Sequence, residues 1–230
     1  GFATTEALAG GMRRQGKTAF VLPNGFDDQT FLTSRRAVQA RRRQPDDGLV
    51  RIGYAAGSCT HQQDFTNAVR AVARVLREHP QCRLVLFRVG AFGTMLLDPA
   101  EFPELAGLES RIEWRPMVPL SRLPEEMARF DVNIAPLAVG NVFCEAKSEL
   151  KYFEAALVDV PTVASPTRPF ARAIRDGVTG LLAASEESWH AALESLVTDP
   201  TPRSCGRCPR CRPPRCSSND GRATWPRWPW

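Results

Sequence analysis

The sequence predicts an α/β fold, a Rossmann-like doubly wound parallel sheet that runs into a disordered C-terminal tail. Strand-like runs alternate with helical segments of roughly 10–15 residues through the first 200 positions. The run CRLVLFRV, residues 82–89, is apolar without alternation, as in a strand covered on both faces. After Pro200 the chain contains no Leu, Val, Ile, Phe, Met, Lys or Glu, which marks the tail.

In order, TTEALAGGMRRQ (4–15) reads as a helix with a Thr cap and an early Glu. KTAFVLPNG (17–25) is a short strand closed by a turn, and 27–43 is a polar helix or linker ending in QPDDG. The arginines of that linker form a solvated helix face, not a nucleic-acid patch, because acidic residues flank them. LVRIGYAAGS (49–58) is a strand entering a small-residue turn. One helix is expected over 64–78, with Phe65, Val69, Val72 and Leu76 as its apolar stripe. RIEWRPMV, DVNIAPL, PTVASP and TGLLAAS supply further strands. The helices between and after them are SRLPEEMARF, KSELKYFEAAL, PFARAIRDG with Gly177 at its stop, and SEESWHAALESLV with a Ser-rich cap.

The net charge of +5 belongs to the tail: residues 201–230 carry seven Arg and one acidic residue, Asp220, whereas residues 1–200 balance to −1. No apolar run is long enough to span a membrane. The start has neither an initiator Met nor a signal peptide, so the chain reads as a fragment whose start lies upstream. Cys59, Cys82 and Cys144 are too few and too scattered for a disulfide framework, which fits a reducing, cytoplasmic setting.

In a doubly wound sheet, ligands bind where strands end, so the turns after strands carry the chemistry. GYAAGSCTH (53–61) offers Gly57, Ser58 and a nearby helix start, a phosphate cradle in principle and an ordinary turn otherwise. NVFCEAKSELKYFEAAL (141–157) is more distinctive. The chain has 27 Arg and three Lys, and two of those lysines fall in one turn here. On a continuous helix Lys147, Lys151 and Glu154 would share a face, with Ser148 near the helix start. Two lysines one turn apart repel unless an anion lies between them. The alternative is a surface helix with a Lys151–Glu154 pair.

VLPNGFDD (21–28) resembles the segment joining the halves of GT-B glycosyltransferases of the family 4, group 1 type. LPEEMARFDVNIAPL (123–137) and the stretch from Cys144 to Ala183 are similar to that family's donor-site region, in the family's order. The resemblance covers roughly residues 3–199. It implies a C-terminal donor-binding half over 49–200, preceded by a remnant of the acceptor domain (1–28) and a helical linker (29–48), with the tail at 201–230. It further implies a retaining, metal-independent hexosyltransferase that needs no cofactor and uses a nucleotide-diphosphate sugar as donor. Glu154 would take the ribose hydroxyls. Lys147, Ser148 and Lys151, with the turn from Gly57 and Ser58 to His61, would take the diphosphate, and Arg115, Met117 and Val118 would lie beside the base. The acceptor would be a glycan or lipid-linked molecule of polysaccharide or cell-envelope assembly, with peripheral membrane association and no nucleic-acid partner. No catalytic residue is assigned, because the half that would hold it is missing. The isolated fragment is therefore expected to bind donor weakly and to transfer no sugar.

Two departures stand against this pattern. The family's paired glutamates, counted back from Glu154, reach Ala146, and Glu145 is one place off. Where the family has Lys-Gly after the first turn, this chain has His61 and Gln62, and a satisfied loop histidine reads as well as a phosphate ligand. The tail poses the competing reading, a zinc- and nucleic-acid-binding module. Cys205, Cys208, Cys211 and Cys216 have knuckle-like spacing, but prolines interrupt them and no apolar scaffold surrounds them. Out-of-frame translation of a GC-rich gene accounts for that composition and for the abrupt break. A third reading is another nucleotide-binding Rossmann-like enzyme, related in fold alone.

Overall fold

The computed structural model describes residues 1–57, 62–90 and 93–198. Ser58, His61 and the Cys/Arg-rich tail lie outside the described residues.

The chain opens with β1 (Phe2–Ala3), α1 (Glu6–Arg14) and β2 (Phe20–Val21), the two strands pairing in parallel. Thr5 caps α1, its hydroxyl accepting the Leu8 N–H at 3.4 Å. Next, α2 (Asp28–Arg42) is a full helix, capped by Asp27 on the Thr30 N–H at 2.7 Å. Its arginines are not simply solvated. Arg35 grips Asp159 with both Nη atoms, at 2.8 and 3.0 Å, and Arg42 adds a third bond at 3.2 Å. Asp159 sits at φ 61°, a left-handed position that Asp tolerates after a helix end, and the two arginines hold it there.

The main sheet follows: β3 (Val50–Gly53), α3 (Gln62–Phe65), α4 (Val69–Glu78), β4 (Cys82–Arg88), β5 (Ile112–Pro116), α5 (Leu123–Met127), β6 (Val132–Ala135), α6 (Val142–Ala146), α7 (Leu150–Leu157), β7 (Thr162–Ala164), α8 (Arg168–Ala173), β8 (Leu181–Leu182) and α9 (Glu186–Thr198). Six strands pair in the order β5-β4-β3-β6-β7-β8, every pair parallel. The order reverses between β3 and β6, the Rossmann arrangement. Ile52, Leu84, Leu86 and Ile134 are fully enclosed, as the uninterrupted apolar runs require.

Three details differ from the sequence expectation. The helix expected over 64–78 is broken after Phe65, where Thr66 Oγ1 and Asn67 Nδ2 take the carbonyls of Gln63 and Asp64 at 2.6 and 2.9 Å. Phe65, Val69, Val72 and Leu76 are buried all the same. The helix PFARAIRDG stops at Ala173, and Gly177 (φ 71°) serves the following turn instead of the helix end. Between β4 and β5 come three short 3-10 turns that start at Pro99, Pro103 and Glu109 and bury Phe102, Leu105 and Leu108. The Ser-rich cap of α9 does form, with Ser185 and Ser188 accepting each other's N–H at 2.9 and 3.3 Å. No described helix is long and apolar enough to cross a membrane.

Candidate functional site

The strand order reverses between β3 and β6, and in sheets of this kind the crevice for a ligand lies at the carboxyl ends of the two strands flanking the reversal. β3 ends at Gly53, where any Cβ would run into the Phe130 ring, so only glycine fits. Beyond it, Tyr54 is fully buried and stacks on Phe65 with centroids 5.2 Å apart. Burial pushes its phenol well up, which keeps it neutral. Gly57 is exposed, and a Cβ there would meet nothing within 4 Å.

Onto this aromatic base α7 projects Lys151, whose Nζ lies 4.4 Å from the Tyr54 ring centroid, a cation–π contact. One turn further on is Glu154. Both are half-buried, and neither side chain forms a hydrogen bond or close ion pair with any described residue. Burial draws the Lys151 ammonium down to about 8, against the pull of Asp64. Burial likewise pushes the Glu154 carboxyl up to about 7, with Lys151 opposing. A carboxylate and an amine, adjacent and unpaired in a crevice, can accept hydroxyl donors and hold an anion.

Lys147 does not share the helical face expected for it. It is extended (φ −67°, ψ 150°) at the end of α6, and α7 begins only at Leu150. Its amine donates to the buried Asp64 of α3 at 2.6 Å and lies 4.9 Å from the Phe143 ring centroid. Ser148 falls just before α7, whose N-cap, Glu149, gives no side-chain cap. Its hydroxyl accepts from Asn24 Nδ2 at 2.6 Å, and Thr5 donates to the neighbouring Ala146 carbonyl at 2.8 Å. The N-terminal unit thus rests on the loop that bears Lys147 and Ser148.

Other expected residues lie apart. Arg115, on the edge strand β5, commits Nε and Nη2 to Glu126 at 2.8 and 2.6 Å. Met117 and Val118 follow at the carboxyl end of β5, two strands from β3, with Met117 exposed. Glu145 is consumed structurally: its oxygens accept the N–H groups of Gly140 at 3.0 Å and Arg168 at 2.8 Å, which holds its carboxyl below the usual range. Asp64, Tyr54 and Asn24 were missed. A first-turn acid, a tyrosine after a strand and an asparagine in a turn are each ordinary by sequence.

One further cluster has metal-ligating chemistry. Ligand atoms of Glu78, His190 and Glu194 lie within 4.8 Å of one another at the α4–α9 contact. There each imidazole already meets a carboxylate, His190 with Glu78 at 2.7 Å and His79 with Glu194 at 2.6 Å.

Residues 50–199 match the family described as glycosyl transferases group 1. The chain belongs to that family. This group 1 glycosyltransferase is 34% identical over 139 residues to D-inositol 3-phosphate glycosyltransferase of Rhodococcus erythropolis, a match covering 58% of the chain and 30% of that protein. It is 29% identical over 198 residues to exopolysaccharide phosphotransferase SCO2592 of Streptomyces coelicolor, covering 84% of the chain and 18% of that protein. It thus spans less than a third of either curated relative. In fold it is similar to Anabaena Alr3699/HepE solved with UDP-glucose, with TM-score 0.64, 17% identity and coverage of 92% of this chain and 57% of that one. WaaG, a glycosyltransferase involved in lipopolysaccharide biosynthesis, matches at TM-score 0.62 and 16% identity, over 89% and 55% of the two chains. These likenesses give the fold: a Rossmann-like C-terminal half of the GT-B type.

Proposed function

We propose that this glycosyltransferase chain is the donor-binding half of a retaining, metal-independent enzyme, and that its crevice binds a UDP-sugar. The observation that carries the reading is the pair Lys151 and Glu154, half-buried and unpartnered at the β3–β6 reversal. Glu154 accepts both ribose hydroxyls. Lys151, with Lys147 and Ser148 at its flank, faces the diphosphate, joined by the turn at Gly57, Ser58 and His61. Arg115, Met117 and Val118 lie beside the base. Charge grows on the departing diphosphate as the glycosidic bond breaks, so an amine fixed at that point lowers the barrier as well as binding the donor. A UDP donor is supported by the UDP-glucose named with Anabaena HepE. A role in polysaccharide or cell-envelope assembly is supported by the names of the exopolysaccharide and lipopolysaccharide relatives.

Residues 1–28 then belong to an acceptor domain, 29–48 to the linker and 49–200 to the donor domain. Calorimetric titration with UDP-glucose tests the assignment. Glu154→Ala is expected to weaken binding about tenfold, the loss of a charged hydrogen-bond acceptor. Unchanged affinity in that variant removes Glu154 from the site.

A further inference from the structure

Asp64 has no part in the reading above, yet it is the carboxylate that joins the two turns of the crevice. It comes from α3, downstream of β3, and its side chain is 8% exposed. Both of its oxygens are engaged by residues downstream of β6. Lys147 Nζ donates to Oδ2 at 2.6 Å, and the Cys144 thiol donates to Oδ1 at 3.4 Å. The carboxylate is thus fixed from two sides, and so is the amine that reaches it. The long lysine side chain has large rotamer freedom. A free lysine loses that freedom when it takes up an anion, whereas one already held has lost it on folding.

We infer that Asp64 is a positioning residue of the candidate donor site, holding Lys147 across the crevice so that its amine meets the diphosphate of a nucleotide-sugar already ordered. This rests on the donor-site reading. It divides the labour between the two lysines. Lys151 has no carboxylate within ion-pair distance among the described residues and supplies the less neutralised charge. Lys147 is neutralised by Asp64 and supplies a fixed donor. Asp64 itself lies behind Lys147 and touches no substrate.

The test is a double-mutant cycle on UDP-glucose affinity, measured by calorimetry on the 230-residue chain with folding checked by circular dichroism. Asp64→Asn is expected to weaken binding about fivefold when Lys147 is present, the ordering of one long side chain. In the Lys147→Ala background the loss should vanish, since Asp64 then has no amine to hold in place. Unchanged or tighter binding by Asp64→Asn alone overturns the inference, because Asp64 would then merely neutralise Lys147. Equal loss in both backgrounds also overturns it, because Asp64 would then support the fold. If the Asn variant does not fold, Asp64→Glu, which moves the carboxylate by one methylene, enters the same cycle with the same readings. An unmutated chain that binds no UDP-glucose overturns the donor-site reading and this inference together. Binding that responds to Glu154→Ala but not to Asp64→Asn overturns the inference alone.

Discussion

Two clusters of charge lie at opposite edges of the six-stranded sheet, and they are built differently. Where α4 meets α9, the charges satisfy one another. Glu78 accepts from Arg74 Nε at 2.8 Å and meets His190 at 2.7 Å, while Glu194 meets His79 at 2.6 Å. In the crevice at the carboxyl edge, Lys147 has Asp64, but Lys151 and Glu154 have no close partner of opposite charge among the described residues. Burying a charge without pairing it destabilises the fold. The first cluster therefore explains itself as a contact between helices. The second is what a ligand would pair, and that contrast, more than any single residue, is the argument for the candidate site.

The sharpest way to break the contrast is Lys151→Met, which keeps the apolar stem over Tyr54 and removes the amine. UDP-glucose affinity should fall about thirtyfold, equivalent to about 2 kcal/mol for a charged hydrogen bond. The melting temperature should hold or rise, because the lost group was a strain on the fold. Calorimetric titration and a thermal melt on the same samples check both halves. A lower melting temperature with unchanged affinity would make Lys151 structural and place the two clusters in one class.

The pH dependence of stability gives the next largest effect, and the two unpaired groups act with opposite sign. Glu154 titrates at about 7 when folded, above its ordinary value of 4.5. The folded state therefore holds a proton that the unfolded state releases, and stability falls as pH rises through that window. Lys151 titrates at about 8, below 10.5, so its penalty is complete below 8 and fades as pH rises toward 10.5. Both penalties are fully present between about 7 and 8. Urea melts across this range should show Glu154→Gln more stable than the parent by about 2 kcal/mol near pH 7.5, with no difference near pH 4. A difference that does not depend on pH would mean that Glu154 is not held at raised pKa. UDP-glucose affinity should peak in the same window, where Glu154 is ionised and Lys151 still protonated.

The strand order was legible because burial on both faces writes itself into runs such as CRLVLFRV, and the helices because their caps are local. The candidate site was legible in part. Two rare lysines and Glu154 drew notice by composition and family resemblance, and α7 does carry Lys151 and Glu154 in the crevice. Lys147 was placed on the wrong element, since helical spacing cannot foresee that the chain leaves the helix for three residues between α6 and α7. Asp64 was invisible for a related reason. Its partner stands 83 residues away in sequence, and only the parallel pairing of β3 with β6 brings them together.

The smallest expected effect lies at the control cluster. Glu194→Gln removes the charge that His79 meets on α9, yet the amide oxygen can still accept a hydrogen bond from a neutral imidazole. The Glu194 side chain is 36% exposed, so water screens the pair and little solvation is regained by breaking it. A loss of about 0.5 kcal/mol is expected, seen as a drop of one or two degrees in melting temperature. It should shrink in 0.5 M salt as the remaining attraction is screened. UDP-glucose affinity should not move, since the change lies at the far edge of the sheet from the crevice. A loss of donor affinity would mean that the α4–α9 contact reaches the site through α3, which carries Asp64 and directly precedes α4 in the chain. The two clusters would then be one coupled system, divided by the sheet but not independent of each other.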